Sequence, residues 1–294
     1  MSERKHEVSA FYKFVALPKE GITELRERIL SAASRLNVCG LMILAEEGCN
    51  GTVAAPPESL AEFRSVLRSI PEFSDLEFKN SAAHFKPFRR FKVDIRPEIV
   101  TFDGAKLQPG PGTGQRLRPS EWHAMLESEQ DLVLIDTRNT YETEIGMFRG
   151  ALDPKLTKFS EFTEFVKSSE IPKEKKILMY CTGGIRCEKA SLEMERLGYQ
   201  NVFQLDGGIL KYLEEYPDGK FDGECFVFDH RVAVDSHLEP SRHFKLCPHC
   251  GNPGDRGISC VKCGNSAVIC KHCAEQAHRI SCSKNCAHYL LTHL

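Results

Sequence analysis

The apolar run Ile177-Leu178-Met179-Tyr180 stops at Cys181-Thr182-Gly183-Gly184-Ile185-Arg186, and a helix-forming stretch follows at once. A strand that does not alternate is buried on both faces, as a central strand of a parallel sheet is. Such sheets place ligands beyond the carboxyl ends of their strands, and Cys181 falls at that position. Gly183 and Gly184 let the backbone curl until successive N–H groups converge. The following helix directs its positive end to the same point, and Arg186 adds a fixed charge. A thiol in such a cradle is expected to be ionised near neutral pH. A buried structural cysteine before a glycine turn is the plainer reading, but it leaves the paired glycines, the arginine and the strand–helix frame without a purpose.

Two further unalternated runs, 131–135 and 202–205, and helical stretches at 120–126, 159–167, 187–197 and 208–215 extend the α/β pattern. Residues 8–100 read differently. A strand (9–17) and an amphipathic helix (23–36) lead into two strands (38–45 and 52–55) about an Asn50-Gly51 turn. A helix (57–69) with proline in its first turn follows, then strands at 76–80 and 91–95. This βαββαβ order is that of a ferredoxin-like sandwich. Residues 104–119, with four glycines and three prolines, predict a linker. The expected organisation is an α+β ferredoxin-like (acylphosphatase-like) domain over 1–103, a linker over 104–118, an α/β domain over 119–235 and a cysteine-rich tail over 236–294.

Eight of the 13 cysteines lie in that tail, as Cys247/Cys250, Cys260/Cys263, Cys270/Cys273 and Cys282/Cys286. The length of the chain and the absence of an export signal point to reduced thiols and metal rather than disulfides, and to a cytoplasmic protein. Eight thiolates suit two closed four-cysteine zinc sites, about two zinc ions per chain. The pairs can be joined sequentially or interleaved, and the spacing does not choose. His249, His272, His278 and His288 are substitute ligands or, more simply, solvated side chains. No apolar run reaches the ~18–20 residues of a membrane span. Lys and Arg outnumber Asp and Glu by 7 to 2 over residues 241–294 and are outnumbered 17 to 25 over residues 101–240, which hints at separate roles for the two regions. Lys86, Arg89, Arg90 and Lys92 interleave with aromatics in the run Lys86-Pro87-Phe88-Arg89-Arg90-Phe91-Lys92. That pattern suits phosphate contact and base stacking, or a solvated edge with core-facing phenylalanines.

The six-residue span from Cys181 to Arg186 is one shorter than the Cys-x5-Arg ring of cysteine phosphatases and resembles the ring of rhodaneses, which carry a persulfide. Asp136-Thr137-Arg138 with Glu142, Arg149-Gly150-Ala151 and Asp206-Gly207-Gly208-Ile209 also resemble rhodanese segments. The resemblance implies a rhodanese-like fold, in which Asp136, Arg138 and Glu142 support the loop as an ion-pair network. More specific runs are Cys181-Thr182-Gly183-Gly184-Ile185-Arg186-Cys187-Glu188-Lys189-Ala190, Glu47-Gly48-Cys49-Asn50-Gly51-Thr52, Gly207-Gly208-Ile209-Leu210-Lys211-Tyr212-Leu213 and Gly223-Glu224-Cys225-Phe226-Val227-Phe228-Asp229. Over residues 8–235 these resemble the tRNA uridine hydroxylase family. Cys49 departs from the isoleucine usual there and reads as a turn-packing position, and the tail reads as lying beyond the common family pattern.

What the resemblance implies is oxygen-dependent conversion of the wobble uridine to 5-hydroxyuridine, with the tRNA anticodon loop as partner and O2 as co-substrate. Cys181 and Arg186 would carry the chemistry, Thr182, Gly183, Gly184 and Ile185 would form the loop, and Cys187 would sit as a neighbouring or resolving thiol. The sequence points to no particular reductant: it holds neither a nucleotide-binding glycine fingerprint nor a convincing two-histidine-one-carboxylate iron site. The same loop would serve a sulfurtransferase passing sulfane sulfur through Cys181. A non-enzymatic zinc module is the third reading, and it has no use for an activated thiolate.

Overall fold

The computed structural model describes residues 6–102, 107–110, 114–128 and 131–293. The first sheet is built from β1 (His6–Phe14), β2 (Cys39–Ala45), β3 (Gly48–Ala55), β4 (Lys79–Ala83) and β5 (Phe91–Ile95), with α1 (Ile22–Arg35) and α2 (Pro57–Arg68) in the two crossovers. Its order, β4-β1-β3-β2-β5, is the expected ferredoxin-like arrangement with β5 added parallel to β2 at the edge. Both helices lay one apolar stripe on the sheet, Ile22, Ile29 and Ala33 from α1 and Leu60, Phe63 and Leu67 from α2, the spacing that puts side chains on one helical face.

The hairpin differs from its expected form. Ala45 pairs with Gly48, so the two-residue turn is Glu46-Glu47 and Asn50-Gly51 lies inside β3. Each of the two residues has another role. The Asn50 Nδ2 donates to the Ile99 carbonyl at 3.0 Å, and a Cβ on Gly51 would stand 2.7 Å from the Phe11 ring. Cys49, one residue earlier, is a strand residue of the core rather than a turn position, and burial pushes its thiol up to about 12. The strand expected at 76–80 begins three residues later.

The second sheet is wholly parallel, in the order β6 (Gln115–Leu117), β10 (Val202–Leu205), β9 (Lys176–Tyr180), β7 (Leu132–Asp136). Strand β6 lies within the segment read as a linker, of which 104–106 and 111–113 fall outside the described residues. Helices α3 (Pro119–Ser128) and α7 (Gly208–Glu215) cover one face, and α5 (Phe162–Ser168) and α6 (Ile185–Arg196) the other. Leu178 and Tyr180 of β9 join Trp122, Leu210 and Leu213, whereas Ile177, Met179 and Cys181 join Phe162, Ala190 and Met194. Between β7 and α5 a short helix α4 (Thr140–Thr143) and strand β8 (Gly146–Phe148) were not foreseen, and β8 pairs with β11 (Phe221–Gly223).

Helix α6 joins the two sheets. Lys189 is 1% exposed, and its Nζ donates to the Glu47 carboxylate (3.0 Å), the Glu98 carboxylate (2.6 Å) and the Val100 carbonyl (3.1 Å). Its neighbour Glu188 accepts from the Tyr12 hydroxyl at 2.8 Å and pairs with Arg116 at 2.8 Å. Breaking a buried pair strands the remaining charges, though Glu98 is about a third exposed and that part is screened. Lys189→Met is therefore expected to lower stability by about 2–3 kcal/mol, measured as a fall in the urea midpoint.

Candidate active site

The cysteine loop bridges the carboxyl end of β9 and the amino end of α6. Gly184 holds φ at 103° as the residue before the helix, and its N–H donates to the Cys181 sulfur at 3.1 Å. The loop's carbonyls are drawn the other way. Ile209 N–H donates to Cys181 O at 3.0 Å and Leu210 N–H to Thr182 O at 3.1 Å, both from the first turn of α7. Gly208 makes this docking possible, because a Cβ there would meet Cys181 O at 2.6 Å and Thr182 O at 2.7 Å. With its carbonyls held outside, the loop presents its amides to the sulfur.

Burial by itself favours the neutral Cys181 thiol. A hydrogen bond from the Cys187 thiol, the Arg186 charge and the amides of Arg186 and Gly184 outweigh it and bring Cys181 down to about 5. Cys187 moves the opposite way, because burial and then the adjacent Cys181 anion hold its proton well above the usual thiol range. The pair is thus a thiolate and a neutral donor. Arg186 does not reach the sulfur with its guanidinium. Nη1 and Nη2 donate to the two Glu142 oxygens at 2.6 and 2.8 Å, and Thr182 Oγ1 donates to the same carboxylate at 3.2 Å. Glu142 is fully buried, a setting that raises a carboxylate, yet Arg186 holds it below its ordinary value.

The expected three-residue network is therefore two separate pairs. Asp136 binds Arg138 side-on, with Nε–Oδ1 at 2.9 Å and Nη2–Oδ2 at 2.7 Å, and Arg138 also donates to Gly146 O at 2.5 Å. Glu142 belongs to Arg186. Sequence reasoning placed Glu142 in the support of the loop but not on the arginine itself, a contact that depends on how α4 packs.

Cys181, Thr182, Gly183, Ile185 and Arg186 open onto a cavity of about 390 Å³ whose opposite wall is the first sheet, through Tyr12, Lys79 and Arg96. Small-molecule sites have volumes of this order. A wider groove of about 610 Å³ shares Phe88, Arg96 and Phe228 with it and carries Arg89, Arg90 and Lys92 along its side. These three cations are exposed and, among the described residues, pair with no carboxylate. Lys86 lies elsewhere, beside Leu30 and Asn37. Of the interleaved aromatics, Phe88 faces the cavity and Phe91 packs edge-on against core Phe63. Phe228 is 57% exposed at the mouth. Tyr12, Lys79, Arg96 and Phe228 were not singled out from sequence.

The eight tail sulfurs form two groups, Cys247/Cys250/Cys270/Cys273 and Cys260/Cys263/Cys282/Cys286, which is the interleaved pairing. Adjacent sulfurs are 3.5–3.9 Å apart, and a tetrahedron with metal–sulfur bonds of ~2.3 Å has edges of about 3.8 Å. The donors therefore fit a four-thiolate metal. In Cys247-x2-Cys250-Gly251 and Cys260-x2-Cys263-Gly264 the glycine takes positive φ, and its N–H returns to the first cysteine's carbonyl at 2.9 and 2.8 Å. This turn aims both sulfurs of a pair inward. The four histidines are not in either group.

Residues 6–99 match the UPF0176 acylphosphatase like domain, 118–215 the rhodanese-like domain and 222–287 the rhodanase C-terminal domain. The tail is thus part of a described family and not an addition to it. A protein of Bdellovibrio bacteriovorus named tRNA uridine(34) hydroxylase is 47% identical over 97% of this chain and 82% of its own length. The chain belongs to the tRNA uridine(34) hydroxylase family. Hydroxylases of the same name from Rhizobium leguminosarum bv. trifolii and Teredinibacter turnerae are 45% and 42% identical, over 90% and 87% of this chain and 86% and 83% of theirs. No helix among the described residues of this family member is long and apolar enough to cross a membrane.

The alkylation rate of Cys181 is expected to be flat from pH 8 to 6 and to fall as pH drops through about 5, since the thiolate is lost there. Cys187→Ala removes a donor to that anion and should move the fall to higher pH, read from iodoacetamide labelling followed by mass spectrometry.

Proposed function

We propose that this chain hydroxylates C5 of uridine 34 in the tRNA anticodon loop, using Cys181 as the nucleophile. The observation that carries the reading is the placement of a buried, preorganised thiolate at the floor of a cavity roofed by a second domain, in a chain whose relatives bear the hydroxylase name. The room suits one nucleobase taken out of its stack, which an anticodon loop releases at modest cost. Addition of the Cys181 sulfur to C6 makes C5 electron-rich. Dioxygen then supplies the oxygen atom at C5, a two-electron donor with two protons carries its second atom away as water, and loss of the C5 hydrogen as a proton breaks the sulfur–C6 bond and returns the Cys181 thiolate.

Arg89, Arg90 and Lys92 line the approach and suit the phosphates flanking the base, while Phe88 and Phe228 offer faces for stacking. Asp136 and Arg138 brace the strand end behind the loop. The tail holds two zinc ions as structural cross-links, since a segment with so small a core folds with its metal. A tRNA substrate and cysteines that would bind metal as thiolates support a cytoplasmic setting.

Three measurements test this. Cys181→Ser should abolish 5-hydroxyuridine in tRNA nucleosides analysed by mass spectrometry while leaving the circular dichroism spectrum unchanged; wild-type levels would refute the role of Cys181. Changing Arg89, Arg90 and Lys92 together to glutamine should flatten the log–log salt dependence of tRNA affinity by about 2, at ~0.7 per contact, whereas Lys86→Gln should not alter it. Elemental analysis of reduced protein should find two zinc ions per chain, and about one in Cys250→Ser, which keeps the other group intact.

A further inference from the structure

The cavity holds three cations, and two of them are committed. Arg186 has both arms on Glu142, and Arg96 is half exposed and paired with Asp94 at 3.0 Å. Lys79 differs from both. It is 7% exposed, and among the described residues its ammonium closes no ion pair and no hydrogen bond. Burial lowers its pKa, and Glu77, Asp206 and the Cys181 thiolate oppose that only through space, with Lys211 acting against them. Its nitrogen lies 4.6 Å from the centroid of the Tyr12 ring. Tyr12 in turn ties Lys79 to the cysteine loop, because its hydroxyl is fixed by Glu188 and a Cβ on Gly184 would stand 2.8 Å from that oxygen. Strand β4 is itself held against α7, where the Asn80 N–H meets Glu214 at 3.4 Å. The side chain is thus largely buried while its ammonium stays unpaired on the cavity wall, which makes it a candidate to meet charge that a ligand brings there.

We propose that Lys79 is a catalytic residue that receives the negative charge formed on a pyrimidine carbonyl when Cys181 adds to the ring. The inference rests on the reading of uridine as substrate and names the group that reading lacks. The step is balanced without an oxidant. The sulfur–C6 bond forms, the C5–C6 π pair moves through C4, and O4 becomes an enolate that accepts a hydrogen bond from the Lys79 ammonium. C5 then takes a proton from water. Loss of the original C5 hydrogen and expulsion of the sulfur restore the uridine. The detectable result is exchange of the C5 hydrogen with solvent.

The test uses the full-length protein and an anticodon stem-loop carrying tritium at C5 of uridine 34, under argon and without reductant. Wild type should release tritium. Lys79→Met should release it about 100-fold more slowly, the loss typical of one removed oxyanion donor. Lys79→Arg, which keeps the charge, should recover most of the rate. The Cys181 alkylation midpoint should move by less than about one pH unit among the three proteins, a through-space effect only, and Lys79→Met should melt no lower than wild type, because it loses an unpaired charge. Exchange by Lys79→Met within about threefold of wild type would overturn the proposal. An alkylation midpoint displaced to higher pH by more than about one unit would do so too, by assigning the lysine to the thiol, as would a lower melting temperature, by making it structural. If wild type hydroxylates tRNA aerobically but exchanges no tritium, the addition step and the role of Lys79 fail while the function stands. If it does neither, the function itself fails.

Discussion

The buried pair of Arg186 and Glu142 is the interaction on which the site depends. A glycine-rich loop has many conformations open to it, and a ring of amides around one sulfur is among the least probable of them. Two charge-assisted hydrogen bonds, both buried and together one bidentate pair, remove that freedom at one end. The first turn of α7 removes it at the other by holding the carbonyls of Cys181 and Thr182. The arginine thus works by geometry and field together. Its backbone N–H and its charge reach the thiolate, while its side chain remains with the carboxylate. This also explains why the anion survives burial: the stabilising dipoles are in place before any ligand arrives, as an electrostatic site requires.

Helix α6 has three roles. Its amino end serves Cys181, its second residue grips Glu142, and Glu188 and Lys189 on the same turn fasten the ferredoxin-like sheet above the loop. The cavity is therefore a product of the interface and not of either domain. That is a common place for ligand sites, and it ties the shape of the cavity to the same two charges that join the domains.

The local part of this arrangement was legible in the sequence. Strand, glycine pair, arginine and helix follow one another within a few residues, so periodicity and spacing place Cys181 correctly. The tail cysteines were legible as groups able to hold a metal for the same reason. What was not legible depends on distant contacts. Asn50-Gly51 carries the signature of a hairpin turn, but its glycine is required by the Phe11 ring across the sheet and its amide by Ile99. Strand β6 hides in a glycine- and proline-rich stretch because it is three residues long and takes its order from β10. Lys79 and Tyr12 stand about a hundred or more positions from Cys181 and carry no motif. The pairing of the cysteines could not be read either, since both arrangements use the same four short turns.

That pairing has a consequence for how the chain is made. In a sequential arrangement the first cluster would close as soon as Cys263 was available. In the observed one, Cys247 and Cys250 wait for Cys270 and Cys273, and Cys260 and Cys263 wait for Cys282 and Cys286. At roughly 5–20 residues per second, the stretch from Cys247 to Cys273 takes a few seconds to synthesise. One group begins along the chain before the other is complete, so the two interleave. A metal held by either group therefore ties together two stretches of chain with a cysteine pair of the other group lying between them.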